Sequence, residues 1–541
     1  MTHDRYRSLD DEQFDIVVVG AGTGGLIAAA LLSRHGKKVL IVDQHAVAGG
    51  NATIFKRSGY EFDVGLHYVG GCHSDGVIPR VLRAAGVEDV EFEELDPDGF
   101  DTLVFPDLQF RIPKGIERYR QRLLETFPNE RRGIDRYIKL LGQIRSVQQS
   151  VVRPASALWT MPRSLLLARW SHRTFKDFLD SCTRDPRLQA VISGQHGDYA
   201  LPPSRASVLM GAGLALHYLE GAYFPKGGGQ VISDRLADAV ERYGGKILLM
   251  AKVERILTRD GKVTGVELSS SQVGRRKVRA PVVISNADLK QTLLELVDAG
   301  SLSGATLDRV DQYEMAPALG MLYAGYDRDL RAAGSPSTNY WIYPDYDIET
   351  QYSQVRLGEF PADPFAYVSI ATLKDPTHPR LAPPGVTNMQ IMSLAPHQPE
   401  SWGVTKDEGS QGTYRKSDTY RQIKQKYSER LVRSASRVFP DLPERLVFQE
   451  LATPLTHSRY TGSTAGTSYG IAATPRQFLH HRPGIRTEIE GLLLCGANTR
   501  MGHGIGGVVL SGLFAAATIA GRQLVKQTLG REDQSTSVMA R

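Results

Sequence analysis

Three glycines and a carboxylate near the start of the sequence have the spacing of a dinucleotide site. Gly20, Gly22 and Gly25 fit the pattern G-x-G-x-x-G, and Asp43 follows 23 positions after Gly20. The first glycine of this pattern permits a tight turn, the second lets the backbone approach a pyrophosphate, and the third lets a helix pack closely on a strand. Asp43 has the residue type and the position of a group that accepts hydrogen bonds from ribose hydroxyls.

The elements that must position these residues are also indicated. Residues 15–19 are a β-branched run typical of a strand buried on both faces, and residues 38–43 predict a second strand that ends in Asp43. The Ala- and Leu-rich residues 26–34 predict a helix between them. The N-terminus of such a helix presents free N–H groups and the positive end of its dipole to phosphate. The segment is therefore a complete βαβ dinucleotide unit.

Further segments extend the pattern and carry a family resemblance. Gly49 and Gly50 follow the βαβ unit, and residues 59–71 read GYEFDVGLHYVGG. Residues 221–290 contain a Gly-rich turn, a predicted helix and predicted strands, and residues 491–507 are a strand that leads into a second Gly-rich turn. With these motifs the sequence resembles the phytoene desaturase, carotenoid isomerase and retinol saturase family of FAD-binding enzymes, within the amine oxidase-like flavoproteins.

The resemblance implies FAD as the cofactor and a set of residues that contact it. In such proteins the glycine pair lies near the phosphates and the ribityl chain, one strand residue meets the adenine side, and the closing turn meets the flavin ring. The residues that match these motifs here are Gly20, Gly22, Thr23, Gly25, Asp43, Gln44, Gly49, Gly50, Asn51, Val253, Asn286, Gly496, Gly506 and Gly507.

The predicted fold class is α/β, with two interleaved domains. A discontinuous Rossmann-type FAD-binding domain takes residues 1–75, 221–290 and 451–541, and an α+β substrate-binding domain takes residues 76–220 and 291–450. A second dinucleotide site is not predicted at the later glycine run, because the sequence shows no buried strand ending immediately before it. A tightly bound NAD(P) is therefore not expected.

Four residues are candidates for catalysis. His67 and Tyr68 follow the strand that leads to the flavin in the related enzymes, and Arg500 and His503 lie in the closing turn. Imidazole suits acid, base or substrate-orienting roles near neutral pH, and it serves equally well as a structural hydrogen-bonding group. Arg500 has the charge to stabilise an anionic flavin or a carboxylate substrate, and a surface ion pair is the alternative.

The cysteines exclude other classes of site. Cys72, Cys182 and Cys495 are too few and too scattered for a disulfide framework or a zinc site, so no metal is predicted and a reducing, cytoplasmic compartment is expected. Cys495 follows three leucines, which favours a small buried residue over a covalent link to the cofactor.

Charge and hydropathy limit the partners. The 541 residues carry a formal charge of +6, which is too weak a bias for a nucleic-acid-binding protein. Residues 1–13 lack the apolar core of a secretory signal, and residues 504–521 are interpreted as a buried helix rather than a membrane span. Residues 151–175 combine Trp159, Trp170 and leucines with arginines, which predicts a peripheral membrane-docking segment. An amphipathic core helix is the alternative.

The function that the resemblance implies is oxidoreduction at carbon–carbon double bonds of an apolar polyene, similar to a retinoid or carotenoid. Saturation, desaturation and cis/trans isomerisation share the same flavin hydride chemistry, so all three stay open, as does the electron donor or acceptor. One rival is a flavin amine oxidase, which needs an aromatic slot to which Tyr460 or Tyr469 would contribute. The other is a non-catalytic FAD-dependent lipid-binding protein at a membrane.

Overall fold

A five-stranded parallel sheet forms the centre of the nucleotide-binding half in this computed structural model, which describes residues 13–152, 169–271 and 274–530. Its strands lie in the order Lys246–Leu248, Val39–Val42, Ile16–Val19, Val282–Ser285 and Leu492–Leu494. Because the sheet collects strands from three separate parts of the sequence, it confirms the predicted α/β class with a discontinuous Rossmann-type unit.

The two faces of this sheet are covered by different elements. Ile16 and Val18 pack with the helices Thr23–Arg34, Gln230–Arg242 and Gly504–Ala520 on one face. The alternate residues of the strand, Val17 and Val19, point to the opposite face and pack in a second hydrophobic core. That core is formed by an antiparallel sheet of the strands Ala251–Arg259, Lys262–Ser270 and Gly274–Arg279. Burial on both faces explains why the first strand is uniformly apolar.

A seven-stranded sheet forms the second half. Its strand order is Leu446–Ala452, Leu319–Tyr326, Thr387–Leu394, Ala366–Ile370, Asn339–Ile342, Asp101–Phe105 and Leu108–Ile112. Its pairs are antiparallel apart from the parallel pair between the strands that start at Asn339 and Asp101. The helix Asp418–Ala435 packs on this sheet through Tyr427 and Leu431.

Smaller elements connect the two large sheets. One is the hairpin formed by Ile54–Arg57 and Tyr60–Asp63, which follows the glycine pair along the chain. The other is a small antiparallel sheet of the strands Val69–Gly70, Ala222–Pro225 and Phe92–Glu94. A helical cluster consists of Ile116–Thr126, Arg131–Val152, Phe175–Cys182 and Val208–Leu219. The other α-helices are Val77–Ala84, Pro186–Ile192, Gly304–Gln312, Glu349–Arg356, Ala371–Lys374, Lys406–Gln411, Pro454–Thr461 and Gln523–Leu529. Single turns of 3-10 or π-helix complete the connections, among them His196–Asp198 and Gln291–Leu296.

The sequence interpretation of residues 227–229 needs a correction. A buried strand, Ala222–Pro225, does end just before these glycines. It pairs antiparallel in the small sheet, however, and the N–H groups of the loop are already bound to carboxylates. Gly227 donates to Asp375 at 2.7 Å and Gly229 donates to Asp63 at 2.7 Å. The N–H groups of Gly227 and Gly229 are therefore already paired with side chains of the chain itself.

The predicted membrane-docking segment, residues 151–175, lies mostly outside the described residues, which resume at Arg169. At its described end Trp170 packs edge-on against Phe178, with ring centroids 5.0 Å apart, and the Arg169 guanidinium lies 4.7 Å from the Trp170 ring. Membrane association stays a prediction. Within the described ranges, no helix combines the length and the apolar character needed to cross a bilayer.

Candidate active site

The glycine loop after strand Ile16–Val19 lines a cavity of about 900 Å³. Gly20 has a φ of +97°, a conformation that favours glycine. A Cβ atom on Gly25 would lie 2.4 Å from the Gly20 carbonyl oxygen, so the helix approaches the strand this closely only without a side chain. A Cβ atom on Gly22 would lie 2.7 Å from the Asn286 side-chain nitrogen. The loop thus has the close packing that its spacing predicted.

The first turn of helix Thr23–Arg34 is open to the cavity. Gly22 is its N-cap and offers no side chain to the first N–H groups, and the turn contains no acidic residue. Gly22 and Thr23 both line the cavity. Unpaired N–H groups and the positive end of the helix dipole suit a phosphate at this position.

Asp43 is fixed beside this loop. Its carboxylate accepts hydrogen bonds from the backbone N–H of Ala21 at 2.6 Å and of His45 at 2.7 Å. Gln44 and Val253 line the same end of the cavity, with Val253 on the strand Ala251–Arg259. The carboxylate therefore lies where a ribose next to the loop would meet it.

The second glycine pair packs directly on the first loop. Gly49 forms a parallel β-bridge with Gly22, and a Cβ atom on Gly50 would lie only 3.2 Å from the Gly22 Cα atom. Asn51 lines the cavity, and its side-chain oxygen lies 2.9 Å from Nε2 of His457. His457 also lines the cavity, and it was not predicted because it comes from a helix about 400 positions further along the chain.

Asn286 joins the first loop to the closing turn. Its side-chain nitrogen lies 3.4 Å from the Gly20 carbonyl, and Cβ atoms on Gly24 and Gly496 would lie 2.8 and 2.7 Å from its side-chain oxygen. Asn286 and Gly496 both line the cavity as well. The predicted cofactor residue therefore also holds the two halves of the site together.

We call helix Gly504–Ala520 the closing helix. Gly504, with a φ of +77°, lines the cavity together with Ile505 and Val508. Gly506 and Gly507 lie in the first turn but not on the cavity wall. A Cβ atom on Gly507 would lie 2.6 Å from the carbonyl oxygen of Gly502, so this glycine serves the tight turn. The positive end of a second helix dipole thus faces the cavity.

The cavity continues from these loops into an apolar chamber. Leu319, Met321, Trp341, Tyr367 and Met392 line it, and all five come from the seven-stranded sheet. The nucleotide loops and this chamber are parts of one continuous cavity. A reactive group held at the junction would face an apolar substrate shielded from water.

His67 lies on the chamber wall in a neutral state. Its Nδ1 atom is 2.8 Å from the side-chain oxygen of Gln390, and burial lowers the pKa of His67 to about 3. Nδ1–H therefore donates to Gln390, which leaves Nε2 as an acceptor. The backbone carbonyl of His67 accepts a hydrogen bond from the buried Lys374 ammonium at 2.6 Å.

His503 is the N-cap of the closing helix and lies on the wall where the loops meet the chamber. Both ring nitrogens are buried, and neither makes a hydrogen bond of normal geometry within the described part of the chain. The backbone carbonyl of Asp198 faces the ring, and Tyr469 contacts it edge-on with centroids 5.0 Å apart. Burial lowers the pKa of His503 to about 3, so the ring is neutral. Buried polar atoms are normally paired, so these nitrogens suit a ligand.

Comparisons with known proteins give this geometry a family. Residues 18–85 match the model of the NAD(P)-binding Rossmann-like domain. The all-trans-retinol 13,14-reductase of Macaca fascicularis is 31% identical over 490 residues, which cover 85% of this chain and 77% of the relative. The chain belongs to the all-trans-retinol 13,14-reductase family. This is the enzyme family that the sequence motifs predicted.

A more distant relative and a solved structure widen this family. Prolycopene isomerase 1 of an Oncidium hybrid cultivar is 25% identical, and the match covers 94% of this chain and 84% of the isomerase. The crystal structure of an oxidoreductase from Methanosarcina mazei shares the fold with a TM-score of 0.63 at 18% identity, covering 92% of this chain and 99% of the other. The chain therefore shares the fold of that structure along nearly its whole length.

Two of the predicted catalytic residues do not lie on the cavity wall. Tyr68 is buried one layer behind it, where its hydroxyl contacts the carboxyl groups of Asp101 and Asp198. Arg500 is exposed, and its Nε atom lies 3.4 Å from the Arg482 carbonyl. Arg500 is not among the residues that line the cavity, so the structure does not bring its side chain to the predicted position of flavin or substrate.

The buried cation that contacts the closing turn is Arg482, which precedes the strand Leu492–Leu494. It is 2% exposed and donates to the backbone carbonyls of Ile471, Gln477 and Ala497. Burial lowers the pKa of Arg482 to about 10, so it keeps its charge at neutral pH. Nothing in the local sequence distinguishes this arginine from its exposed neighbours.

The two tyrosines that were considered for the aromatic slot of an amine oxidase lie apart in this structure. Tyr460 is 51% exposed and contacts His45, near Asp43. Tyr469 lies at the chamber, against His503. They do not form one aromatic slot.

The structure confirms that Cys495 is a small buried residue. It is 3% exposed, and a Cβ atom on Gly24 would lie 3.1 Å from its sulfur. Burial raises the pKa of its thiol to about 12, so it is not a reactive thiolate. Among the residues that the structure describes, no group of three or more His, Cys, Asp or Glu side chains has the arrangement of a metal site.

Proposed function

We propose that this protein is an FAD-dependent oxidoreductase that acts on carbon–carbon double bonds of an apolar polyene. The observation that carries the proposal is the single cavity that joins the dinucleotide loops to the apolar chamber. The names of the relatives, a retinol 13,14-reductase and a prolycopene isomerase, support a retinoid- or carotenoid-like substrate. The same names favour carbon–carbon chemistry over amine oxidation.

The proposal of FAD rests on what the chain offers a dinucleotide. The loop of Gly20 and Gly22 fits a pyrophosphate, Asp43 fits a ribose, and the start of the closing helix, at Gly504, fits an electron-rich ring edge. When bound, FAD supplies hydride transfer. The chain contributes position, shape and electrostatics.

Each part of the chain has a separate task in this proposal. The two helix N-termini place positive potential where the cofactor carries charge, at the phosphates and at the reduced ring. The apolar side chains of the seven-stranded sheet exclude water and align the polyene. Neutral His67 and His503 orient groups at the junction without adding charge. A flexible residue pair, Met321 and Met392, suits a long and slightly bent hydrocarbon.

A panel of polyenes tests the proposal. The holoenzyme is incubated with retinoids, carotenoids and unsaturated fatty acids under reducing and under oxidising conditions, and the products are identified by mass and ultraviolet spectrum. A gain of two hydrogens identifies saturation, a loss of two identifies desaturation, and an unchanged mass with a shifted spectrum identifies isomerisation. Aldehyde and peroxide from amines, with every polyene unchanged, would instead support the amine oxidase.

His503 gives the first mutational prediction. We expect His503→Phe to change the free energy of unfolding by less than about 1 kcal/mol, since no hydrogen bond of normal geometry is lost. Turnover should fall about tenfold or more, because a buried hydrogen bond to a ligand is worth about 1.5 kcal/mol or more when the ligand is charged. Thermal unfolding and steady-state kinetics measure the two effects.

The control for this variant is His480→Phe, at an exposed histidine outside the cavity. It should leave both quantities at their wild-type values. If His503→Phe keeps wild-type turnover and flavin potential, the ring of His503 only fills space.

A further inference from the structure

Asp198 is an acidic side chain on the wall of the apolar chamber. It ends the 3-10 turn His196–Asp198 and lines the cavity beside His503 and Tyr367. The surrounding wall is aromatic, so an ionised carboxylate here would have little water to solvate it. Its surroundings therefore decide its protonation state.

A tyrosine hydroxyl bridges Asp198 to a second carboxyl group. Oη of Tyr68 lies 2.6 Å from Oδ2 of Asp198 and 3.0 Å from Oδ2 of Asp101. A phenol has one proton and donates one hydrogen bond, so it cannot donate to two carboxylates at once. A second proton is needed to make both contacts favourable. One of the two carboxyl groups is therefore protonated.

The other contacts of the pair show which one carries the proton. Asp101 is fully buried and accepts hydrogen bonds from the amide groups of Gln195 at 2.7 Å and Asn339 at 2.8 Å. These fixed donors stabilise its anion. Tyr68 is the one side chain, within the described ranges, that hydrogen-bonds to Asp198. Asp198 therefore donates to Tyr68, and Tyr68 donates to Asp101.

Burial raises the pKa of Asp198 well above its ordinary value, and the negative charge of Asp101 raises it further. The ammonium of Lys374, which is 1% exposed and donates to Ser369 at 2.7 Å, partly offsets this effect. Burial raises the pKa of Asp101 as well, but the amide groups of Asn339 and Gln195 lower it, and Asp198 has no such amide partner in the described segments. Two carboxyl groups that share one site normally hold one proton between them.

We propose that Asp198 is the proton donor to the substrate double bond, with Tyr68 and Asp101 as its positioning residues. The proposal rests on the proposed function. In a reduction, one carbon of the double bond would receive a hydride from the reduced flavin. The other carbon receives the proton of Asp198, after the carboxyl O–H has turned from the Tyr68 oxygen to the substrate. The π bond is lost, two C–H bonds form, the flavin is oxidised by two electrons, and Asp198 becomes a carboxylate that later takes a proton from solvent.

The hydroxyl of Tyr68 compensates the new charge. When Asp198 loses its proton, the Tyr68 hydrogen turns from Asp101 toward Asp198, over two oxygen distances that already suit a hydrogen bond. No heavy atom has to move, because the Tyr68 ring is stacked on Tyr218 with centroids 4.1 Å apart and an interplanar angle of 3°. Such preorganisation lowers the cost of the proton transfer.

The test uses the variant Asp198→Asn, which keeps the shape and removes the acid. The first readout is the infrared spectrum of the holoenzyme labelled with ¹³C-aspartate, measured without substrate at neutral pH. Burial also raises the pKa of Asp63 to about 7, so Asp63 contributes a carbonyl band of its own to both proteins. The difference spectrum between wild type and Asp198→Asn should therefore show the loss of one further band of a buried protonated carboxyl group. The second readout is polyene turnover, which should fall about 100-fold or more because a general acid typically contributes that much. Flavin content should be unchanged.

Two further variants make the result interpretable. Asp441→Asn removes a carboxylate that also accepts from a tyrosine, Tyr326, but lies away from the cavity. It should keep both the band and turnover. Tyr68→Phe keeps the stacked ring and should shift the frequency of the band. This variant tests the hydrogen bonds from Asp198 through Tyr68 to Asp101 even if Asp198→Asn folds poorly.

The outcomes separate this inference from the proposed function. A carbonyl region that Asp198→Asn leaves unchanged, or turnover that stays within a few-fold of wild type, overturns the role of Asp198. A wild-type enzyme that changes no polyene contradicts the proposed function, while the band still reports where the proton resides.

Discussion

Gly22→Val is expected to yield a folded protein that purifies with a lower flavin content than wild type. The φ of Gly22 is −68°, which valine adopts easily, so the effect comes from space alone. Its Cβ atom would lie 2.7 Å from the Asn286 side chain, and its methyl groups would extend into the phosphate loop. Overpacking of this kind costs about 1–3 kcal/mol, which lowers the affinity for the cofactor about 10- to 100-fold. Flavin absorbance per chain and titration of the apoprotein with FAD measure the loss.

The matched control is Gly142→Val, in the helix Arg131–Val152, where no atom lies within 4 Å of the added Cβ. It should retain wild-type flavin content. A Gly22→Val protein that carries full flavin absorbance would contradict the assignment of this loop to the pyrophosphate.

Arg482→Met is expected to cause the largest loss of stability. The variant removes the donor to four backbone carbonyls, those of Ile471, Gln477, Ala497 and Thr499, in a buried region. A buried acceptor left unpaired costs about 1–3 kcal/mol, so we expect the free energy of unfolding to fall by about 3 kcal/mol or more. The closing turn should loosen with it, which lowers flavin affinity. Denaturant unfolding with and without FAD measures both effects.

Arg500→Met is the control for this prediction, because Arg500 is an exposed residue of the closing turn that lies next to Arg482 in space. It should change the free energy of unfolding by less than about 0.5 kcal/mol and leave turnover unchanged. Equal effects of the two substitutions would show that the contacts of Arg482 do not hold the turn.

The parts of the site that the sequence predicted are those formed by local order. The turn at Gly20, the helix after it and Asp43 lie within one short segment, so spacing alone specifies how they meet. The closing helix is predicted for the same reason, because a Gly-rich turn precedes a long apolar run. Few sequences have glycines and apolar residues in the order that this backbone geometry requires.

The parts that the sequence did not predict depend on contacts between distant segments. Asp198 is meaningful only beside Tyr68 and Asp101, which are 130 and 97 positions away in the printed sequence. No sequence pattern predicts that the 3-10 turn of Asp198 contacts the strand that begins at Asp101. Arg482 and Arg500 differ in burial rather than in type, so the choice between them required the packed turn. The boundaries of the two domains stay a prediction.

The most direct test of the central claim is a single anaerobic mixing of the prereduced holoenzyme with a conjugated polyene. Flavin and polyene absorbance are followed together. We expect the polyene spectrum to change at the rate of the enzyme, either with stoichiometric reoxidation of the flavin, as in saturation, or with the flavin left reduced, as in isomerisation. A reduced, fully flavin-loaded enzyme that alters no retinoid or carotenoid would contradict the claim that this cavity brings a flavin to a carbon–carbon double bond.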